Sequence, residues 1–306
     1  MSEVKEKAAL AKQAAVLLNR LGEEQKNEAL ERMADALIRE ERSIVEANAL
    51  DLEQGRKSGL SASLIDRLKL NAERIAAMAD GLRQVAALPD PVGETLERYV
   101  RPNGLIISKV RVPIGVVGII YEARPNVTVD AAGLCLKTGN AIVLRGSSSA
   151  LHSNRRIVEV LHAALEHTDV PKDALQLIES VDRSSVDEML KANGLLDIVI
   201  PRGGASLIQH VVQNATVPVI ETGAGVCHTY IDREADKDMA FRIAINAKVQ
   251  RPSVCNAMET LLVHADFAAR HLAELADRFR EANVELRGCG RSRELVPWMR
   301  EAVEAD

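Results

Sequence analysis

The chain has 306 residues, 47% of them hydrophobic and 27% charged, with a formal net charge of −5. That is an ordinary globular balance for about two domains. Aromatics make up only 2% and no long basic run occurs, which argues against nucleic acid as a partner. The longest apolar stretch, near 112–120, contains Pro113 and is too short to cross a bilayer, so no membrane partner is expected. The beginning of the chain is charged and amphipathic, with no apolar signal core. The four cysteines, Cys135, Cys227, Cys255 and Cys289, form no C-x-x-C pair. A cytoplasmic protein with reduced thiols and no zinc ribbon is expected.

The first ninety or so residues read as helices. Ala14, Leu17, Leu18 and Leu21 recur at helical spacing, as do Leu30, Met33, Ala34 and Leu37. Ser61 is placed to cap a further helix running through Leu82, and Pro89 and Pro91 end the helical block. Runs at 97–100 and 105–112 flank Pro102-Asn103-Gly104, a hairpin signal. A lone two-stranded ribbon is marginal, so this one is expected to pack on another subunit or domain.

From Ile114 the pattern changes. Short β-branched runs at 114–120, 141–144, 175–178, 197–200 and 217–220 alternate with helical stretches at 129–136, 151–165, 185–191 and 206–212. This alternation predicts a doubly wound parallel sheet, and strands this apolar suit burial between helix layers. A second α/β segment follows, with strands at 229–232 and 260–263 and helices at 236–247 and 267–281. Two glycines near Gly223–Gly225 suggest a boundary between a nucleotide-binding domain, 1–224, and a smaller α/β catalytic domain, 225–306.

Five segments could carry chemistry. Cys255, in Gln250-Arg251-Pro252-Ser253-Val254-Cys255-Asn256, lies where proline forces irregular backbone between a helix and a strand. Arg251 is a nearby cation that could raise its thiolate fraction. Taken alone, the commoner reading of such a residue is an inert buried thiol. Asn126 follows a strand in Tyr121-Glu122-Ala123-Arg124-Pro125-Asn126. Its amide could stabilise an oxyanion there, or simply stabilise a loop. Arg145-Gly146-Ser147-Ser148-Ser149 follows the 141–144 strand. Small residues, an arginine and the N-terminus of the next helix suit a phosphate, although a serine-rich helix cap has the same composition. With no acid at that strand end, the composition favours NADPH over NADH. Arg202-Gly203-Gly204 suits close approach of a nucleotide, but G-x-G-x-x-G is absent. Glu221 puts a carboxylate at the end of an apolar run, as a base or as a backbone acceptor.

Together these pieces resemble the aldehyde dehydrogenase superfamily. Its hairpin strand resembles 108–120 here, and its T-G-N strand resembles Thr138-Gly139-Asn140-Ala141-Ile142-Val143-Leu144-Arg145. Its E-L-G-G-K segment resembles Glu221-Thr222-Gly223-Ala224-Gly225, and the spacing from Glu221 to Cys255 matches. Further runs, among them Ile200-Pro201-Arg202-Gly203-Gly204 and Gly225-Val226-Cys227-His228, are similar to the branch that reduces an acyl phosphate. The resemblance covers essentially the whole chain.

The resemblance implies an aldehyde dehydrogenase-like fold with Cys255 as covalent nucleophile. Asn126 and the Cys255 backbone N–H would hold the oxyanion. It implies cofactor contacts from Arg145, Gly146, Ser147, Ser148, Arg202, Gly203 and Gly204, with Glu221 lining the nicotinamide pocket. Arg124 and Arg251 are implied for the phosphate or carboxylates of the substrate. The implied reaction is NADPH-dependent reduction of L-glutamyl 5-phosphate to L-glutamate 5-semialdehyde in proline biosynthesis, without a metal. The alternatives are NAD(P)-dependent oxidation of a small semialdehyde, or nucleotide binding without catalysis. A homo-oligomer is implied for the full-length protein, with channelling from glutamate 5-kinase. Family members run on beyond Asp306, so a C-terminally truncated catalytic domain is also expected.

Overall fold

The computed structural model describes residues 2–221, 225–252 and 254–304. The chain divides into two compact units, Met1–Gly223 and Ala224–Asp306. Thr222, Gly223 and Ala224 of the glutamate–glycine segment, and Ser253 two residues before Cys255, lie outside the described residues.

The first unit opens with five helices: α1 (Glu3–Leu18), α2 (Glu23–Arg39), α3 (Glu41–Lys57), α4 (Ala62–Leu68) and α5 (Ala72–Ala87). Small residues let α1 pack closely, with Val4, Ala8, Ala11, Ala14 and Leu18 buried. Leu17, read from the sequence as part of that stripe, is 52% exposed instead. The single helix expected from Ser61 through Leu82 is two helices. Ser61 does cap α4, accepting from Leu64 N. Asn71 then takes a second cap, accepting from Arg74 N. Buried Asn48 of α3 fixes the break, donating to Leu68 O and accepting from Leu70 N, each at 2.8 Å. A side chain distant in sequence thus satisfies the backbone groups that a continuous helix would have paired.

Two exposed strands follow, β1 (Thr95–Val100) and β2 (Ile106–Val110), paired antiparallel across the Asn103-Gly104 turn. The parallel sheet is built from β3 (Val116–Tyr121), β4 (Ala141–Arg145), β5 (Leu175–Leu177) and β6 (Ile198–Arg202). Its spatial order is β5-β4-β3-β6, all parallel. The connecting helices are α6 (Asn126–Lys137), α7 (Leu151–Leu165) and α8 (Ser184–Leu190), and α9 (Ala205–Asn214) follows β6. Every residue of β3 is buried, as expected for a strand covered on both faces. The run 217–220, expected as a strand, forms only one parallel bridge, Val199 to Val219.

Chain direction reverses its march at β3: β4 and β5 build outward on one side and β6 on the other. Open α/β sheets bind ligands beyond the carboxyl ends of the strands at such a switch point.

The second unit pairs β7 (His228–Ile231) and β8 (Thr260–Val263) in parallel, with α10 (Lys237–Val249) between them and α11 (Ala265–Glu281) after them. Its own core is formed by Ile231, Phe241, Met258, Phe267, Leu275 and Phe279. Short elements β9 (Arg287–Gly288), α12 (Gly290–Leu295) and β10 (Arg300–Glu301) close it. Among the described residues, no helix is long and apolar enough to cross a membrane, and no cluster of three or more His, Cys, Asp or Glu could hold a metal.

Candidate active site

A cleft of about 560 Å³ opens at the carboxyl ends of the first unit's strands. Ile120, Tyr121 and Glu122 come to it from β3, and Arg145, Ser147 and Ser148 from β4. Val181 and Arg183 come from the turn after β5, and Ser206, Leu207 and His210 from α9. Three of the residues expected at a nucleotide, Arg145, Ser147 and Ser148, therefore share one wall.

Gly146 lies beneath that wall. A Cβ there would overlap Asn154 Nδ2 and meet the Tyr121 ring at 3.1 Å. The glycine makes room for a buried network in which Tyr121 Oη and Thr128 Oγ1 lie 2.7 Å apart and Thr128 Oγ1 donates to Asn154 Oδ1 at 3.0 Å. Burial pushes the Tyr121 phenol up, despite its bond to Thr128, so it is a neutral member of that network. Packing under the cleft is by itself enough to require a glycine here.

The expected phosphate site at the α7 N-terminus is already filled. Buried Asp51 of α3 accepts from His152 N at 3.1 Å, Ser153 N at 2.8 Å and Ser153 Oγ at 2.6 Å. A protein carboxylate takes the place of the anion that these N–H groups and the helix dipole would attract. Nothing local in Arg145-Gly146-Ser147-Ser148-Ser149 signals this, because the acid comes from another helix.

Arg145 is likewise engaged. Its Nε donates to Ser185 Oγ, Nη1 to Gly146 O, and Nη2 to the carbonyls of Val181 and Asp182, all at 3.1–3.3 Å. Burial and the neighbouring Arg183 guanidinium lower its pKa, with Asp182 opposing them.

The other expected residues of this unit sit around the same strand ends. Arg202 closes β6, where its carbonyl accepts from Glu122 N at 3.2 Å. Gly203 lies directly against the Glu122 side chain. Gly204 caps α9, its carbonyl accepting from Leu207 N and Ile208 N. Arg124 is half-buried in the turn between β3 and α6. Asn126 begins α6, and its Nδ2 donates to Asp130 Oδ2 at 2.9 Å. A primary amide carries two N–H donors, so one remains for a ligand. Glu221 is exposed beyond the 217–220 run.

In the second unit, Cys255 is exposed in a tight turn between α10 and β8. Val254 N donates to Arg251 O and Ala257 N to Val254 O, both at 3.2 Å. Met258 N donates to Ala247 O at 2.9 Å, and Met258 itself is buried. Cys227 pins the turn from the other side. Its carbonyl accepts from Glu259 N and Thr260 N, and its Sγ donates to Cys255 O at 3.5 Å. Arg251, two residues beyond α10, is exposed in the same turn. The other cysteines differ. Burial pushes the Cys135 thiol up to about 12. Cys289 is exposed, with its thiol held down by the Ser292 hydroxyl and backbone N–H groups.

The first unit thus holds a cleft at its switch point, and the second an exposed cysteine in a backbone-pinned turn. The model of the aldehyde dehydrogenase family matches residues 1–290, and the chain belongs to that family of oxidoreductases. Within it, the chain is similar to gamma-glutamyl phosphate reductases. That of Moorella thermoacetica is 58% identical over 304 residues, which are 99% of this chain and 73% of the relative. That of Halalkalibacterium halodurans is 53% identical over 307 residues, 100% of this chain and 74% of the relative. The crystal structure of gamma-glutamyl phosphate reductase from Thermotoga maritima matches with a TM-score of 0.89 at 46% identity, covering 99% of this chain and 73% of that one.

Proposed function

We propose that the chain carries out the NADPH-dependent reduction of L-glutamyl 5-phosphate to L-glutamate 5-semialdehyde, with release of phosphate, in cytoplasmic proline biosynthesis. The observation that carries this reading is the 58% identity, over 99% of the chain, to a gamma-glutamyl phosphate reductase. The first unit serves as the NADP-binding domain and the second as the catalytic domain.

The Cys255 thiolate attacks the acyl carbon of the substrate, and the carbon–oxygen bond to phosphate breaks. Covalent catalysis divides a difficult reduction into two easier steps. The Asn126 amide and the Cys255 backbone N–H steady the oxyanion, a contribution of roughly 3–4 kcal/mol per donor in comparable sites. Arg124 and Arg251 bind the substrate's phosphate or carboxylates. The cleft suits a dinucleotide, with serines and arginines on the β4 side and no acid at that strand end. NADPH held there would supply a hydride to the thioester carbon, giving the hemithioacetal oxyanion at Cys255. Collapse of the hemithioacetal frees the aldehyde and restores the thiolate. A carboxylate base for water is not needed, since hydrolysis would waste the thioester, so Glu221 lines the nicotinamide pocket. The exposed hairpin, with Leu96, Tyr99, Val100 and Ile106 on its surface, serves homo-oligomer assembly. Substrate this reactive is best received directly from glutamate 5-kinase.

The test is intact mass after incubation with a slowly turned-over acyl phosphate analogue of glutamate. A glutamyl adduct is expected on the wild type and not on Cys255→Ala. An adduct that persists in the variant, or none on the folded wild type, overturns the reading.

A further inference from the structure

The cleft poses a question that its motifs do not answer. The helix N-terminus beside the serine loop is spent on Asp51, and four of the five N–H donors of Arg145 are spent on Ser185, Gly146, Val181 and Asp182. Arg145 keeps its charge but only one free N–H, so a further group with charge and free donors would strengthen anion binding on this side. Arg183 has both. It lines the cleft, its side chain is exposed, and it makes no ion pair or side-chain hydrogen bond among the described residues.

Its placement is controlled. Arg145 grips the carbonyls of Val181 and Asp182, the two residues before Arg183, and the hydroxyl of Ser185, two residues after it. From α1, Glu3 accepts from the backbone N–H groups of Glu179 and Ser180 at 2.8 and 2.9 Å. The turn is therefore held at both ends.

The acid just before it, and the two that share its cleft, have other partners or neighbours. Asp182 turns its carboxylate onto Ser184 N at 2.9 Å. Asp187 pairs with His210 at 2.8 Å. Glu122 lies against Gly203, beside β6, whereas the turn of Arg183 follows β5, at the other edge of the strand order β5-β4-β3-β6. In switch-point sheets the adenosine ribose lies beside the strand next to the central one, where an arginine accommodates a 2′-phosphate. Here that strand is β4, and β5 is its outer neighbour.

We propose that Arg183 is the specificity-determining residue for the 2′-phosphate of NADPH, with Arg145 as the residue that positions it and the Ser147 and Ser148 hydroxyls beside it. This inference rests on the NADPH reading above. Arginine suits the role because its planar fork matches a phosphate with two donors, which lysine cannot reproduce.

The test is calorimetric binding of adenosine 2′,5′-bisphosphate and adenosine 5′-monophosphate to the full chain. Wild type is expected to prefer the bisphosphate. Arg183→Ala is expected to weaken the bisphosphate about tenfold or more and leave the monophosphate within about twofold, as befits the loss of charge-assisted bonds to one group. Arg183→Lys should fall between them. If Arg183→Ala keeps the full wild-type preference, the assignment to Arg183 is overturned while the NADPH reading stands. If wild type shows no preference, both are overturned.

Discussion

Local surroundings set the reactivity of individual thiols, and two contrasting environments predict two behaviours. Cys135 is buried in the first unit's core with its thiol pushed up to about 12, so it carries almost no thiolate near neutrality. Cys289 is exposed, and hydrogen bonds from the Ser292 hydroxyl and backbone hold its thiol below the ordinary value. A lowered thiol pKa means that thiolate appears at lower pH. Iodoacetamide labelling followed by peptide mass spectrometry should therefore show Cys289 reacting at a pH where an unperturbed thiol, with pKa about 8.5, is still slow. Cys135 should stay unlabelled until the protein is denatured. Equal pH profiles for Cys289 and free cysteine would refute the first expectation. Reactivity and catalysis are separate properties here. Spacing and motif pointed to Cys255, whereas nothing in Gly288-Cys289-Gly290 marked its thiol, because the partner that matters is a hydroxyl three residues on.

At the scale of elements, α1 acts as a brace for the turn after β5. Burial alone would raise the Glu3 carboxyl, but the N–H groups of Glu179 and Ser180 and the Lys7 ammonium bring it below its ordinary 4.5. A carboxylate with a depressed folded pKa stabilises above its unfolded value and loses that contribution as pH falls through the folded one. Glu3→Gln should accordingly cost about 1–2 kcal/mol near neutral pH, and the difference from wild type should shrink below about pH 4.5. Urea midpoints at the two pH values check this, and a constant difference would refute it. The expected β3, β4, β6 and β8 lay close to their observed spans, because β-branched runs between turn signals mark strands. What the sequence concealed was long-range. Asn48 breaking the 61–82 helix, Asp51 occupying the α7 N-terminus and Glu3 holding residues 179–180 all join segments far apart in the chain. The placement of Arg183 in the cleft was concealed for the same reason. Val181-Asp182-Arg183-Ser184 reads as an ordinary polar turn until Arg145 is seen to organise it.

For the whole molecule, the two units have separate cores, and their optical reporters separate with them. Trp298 is the only tryptophan in the chain. It sits in the second unit beneath the Arg280 guanidinium, at 4.6 Å from the ring centroid. Tryptophan emission therefore follows the second unit, whereas helical circular dichroism is dominated by the nine helices α1–α9 of the first. A ligand confined to the switch-point cleft stabilises only the unit that binds it. At a hundredfold excess over its Kd that is about 2.7 kcal/mol, or roughly 5–10 °C for a unit of this size. Adenosine 2′,5′-bisphosphate should raise the midpoint followed by circular dichroism and leave the midpoint followed by Trp298 in place. Equal shifts at both probes would mean that the chain melts as one cooperative block. A shift at Trp298 alone would put the nucleotide on the second unit, against the assignment of the cleft.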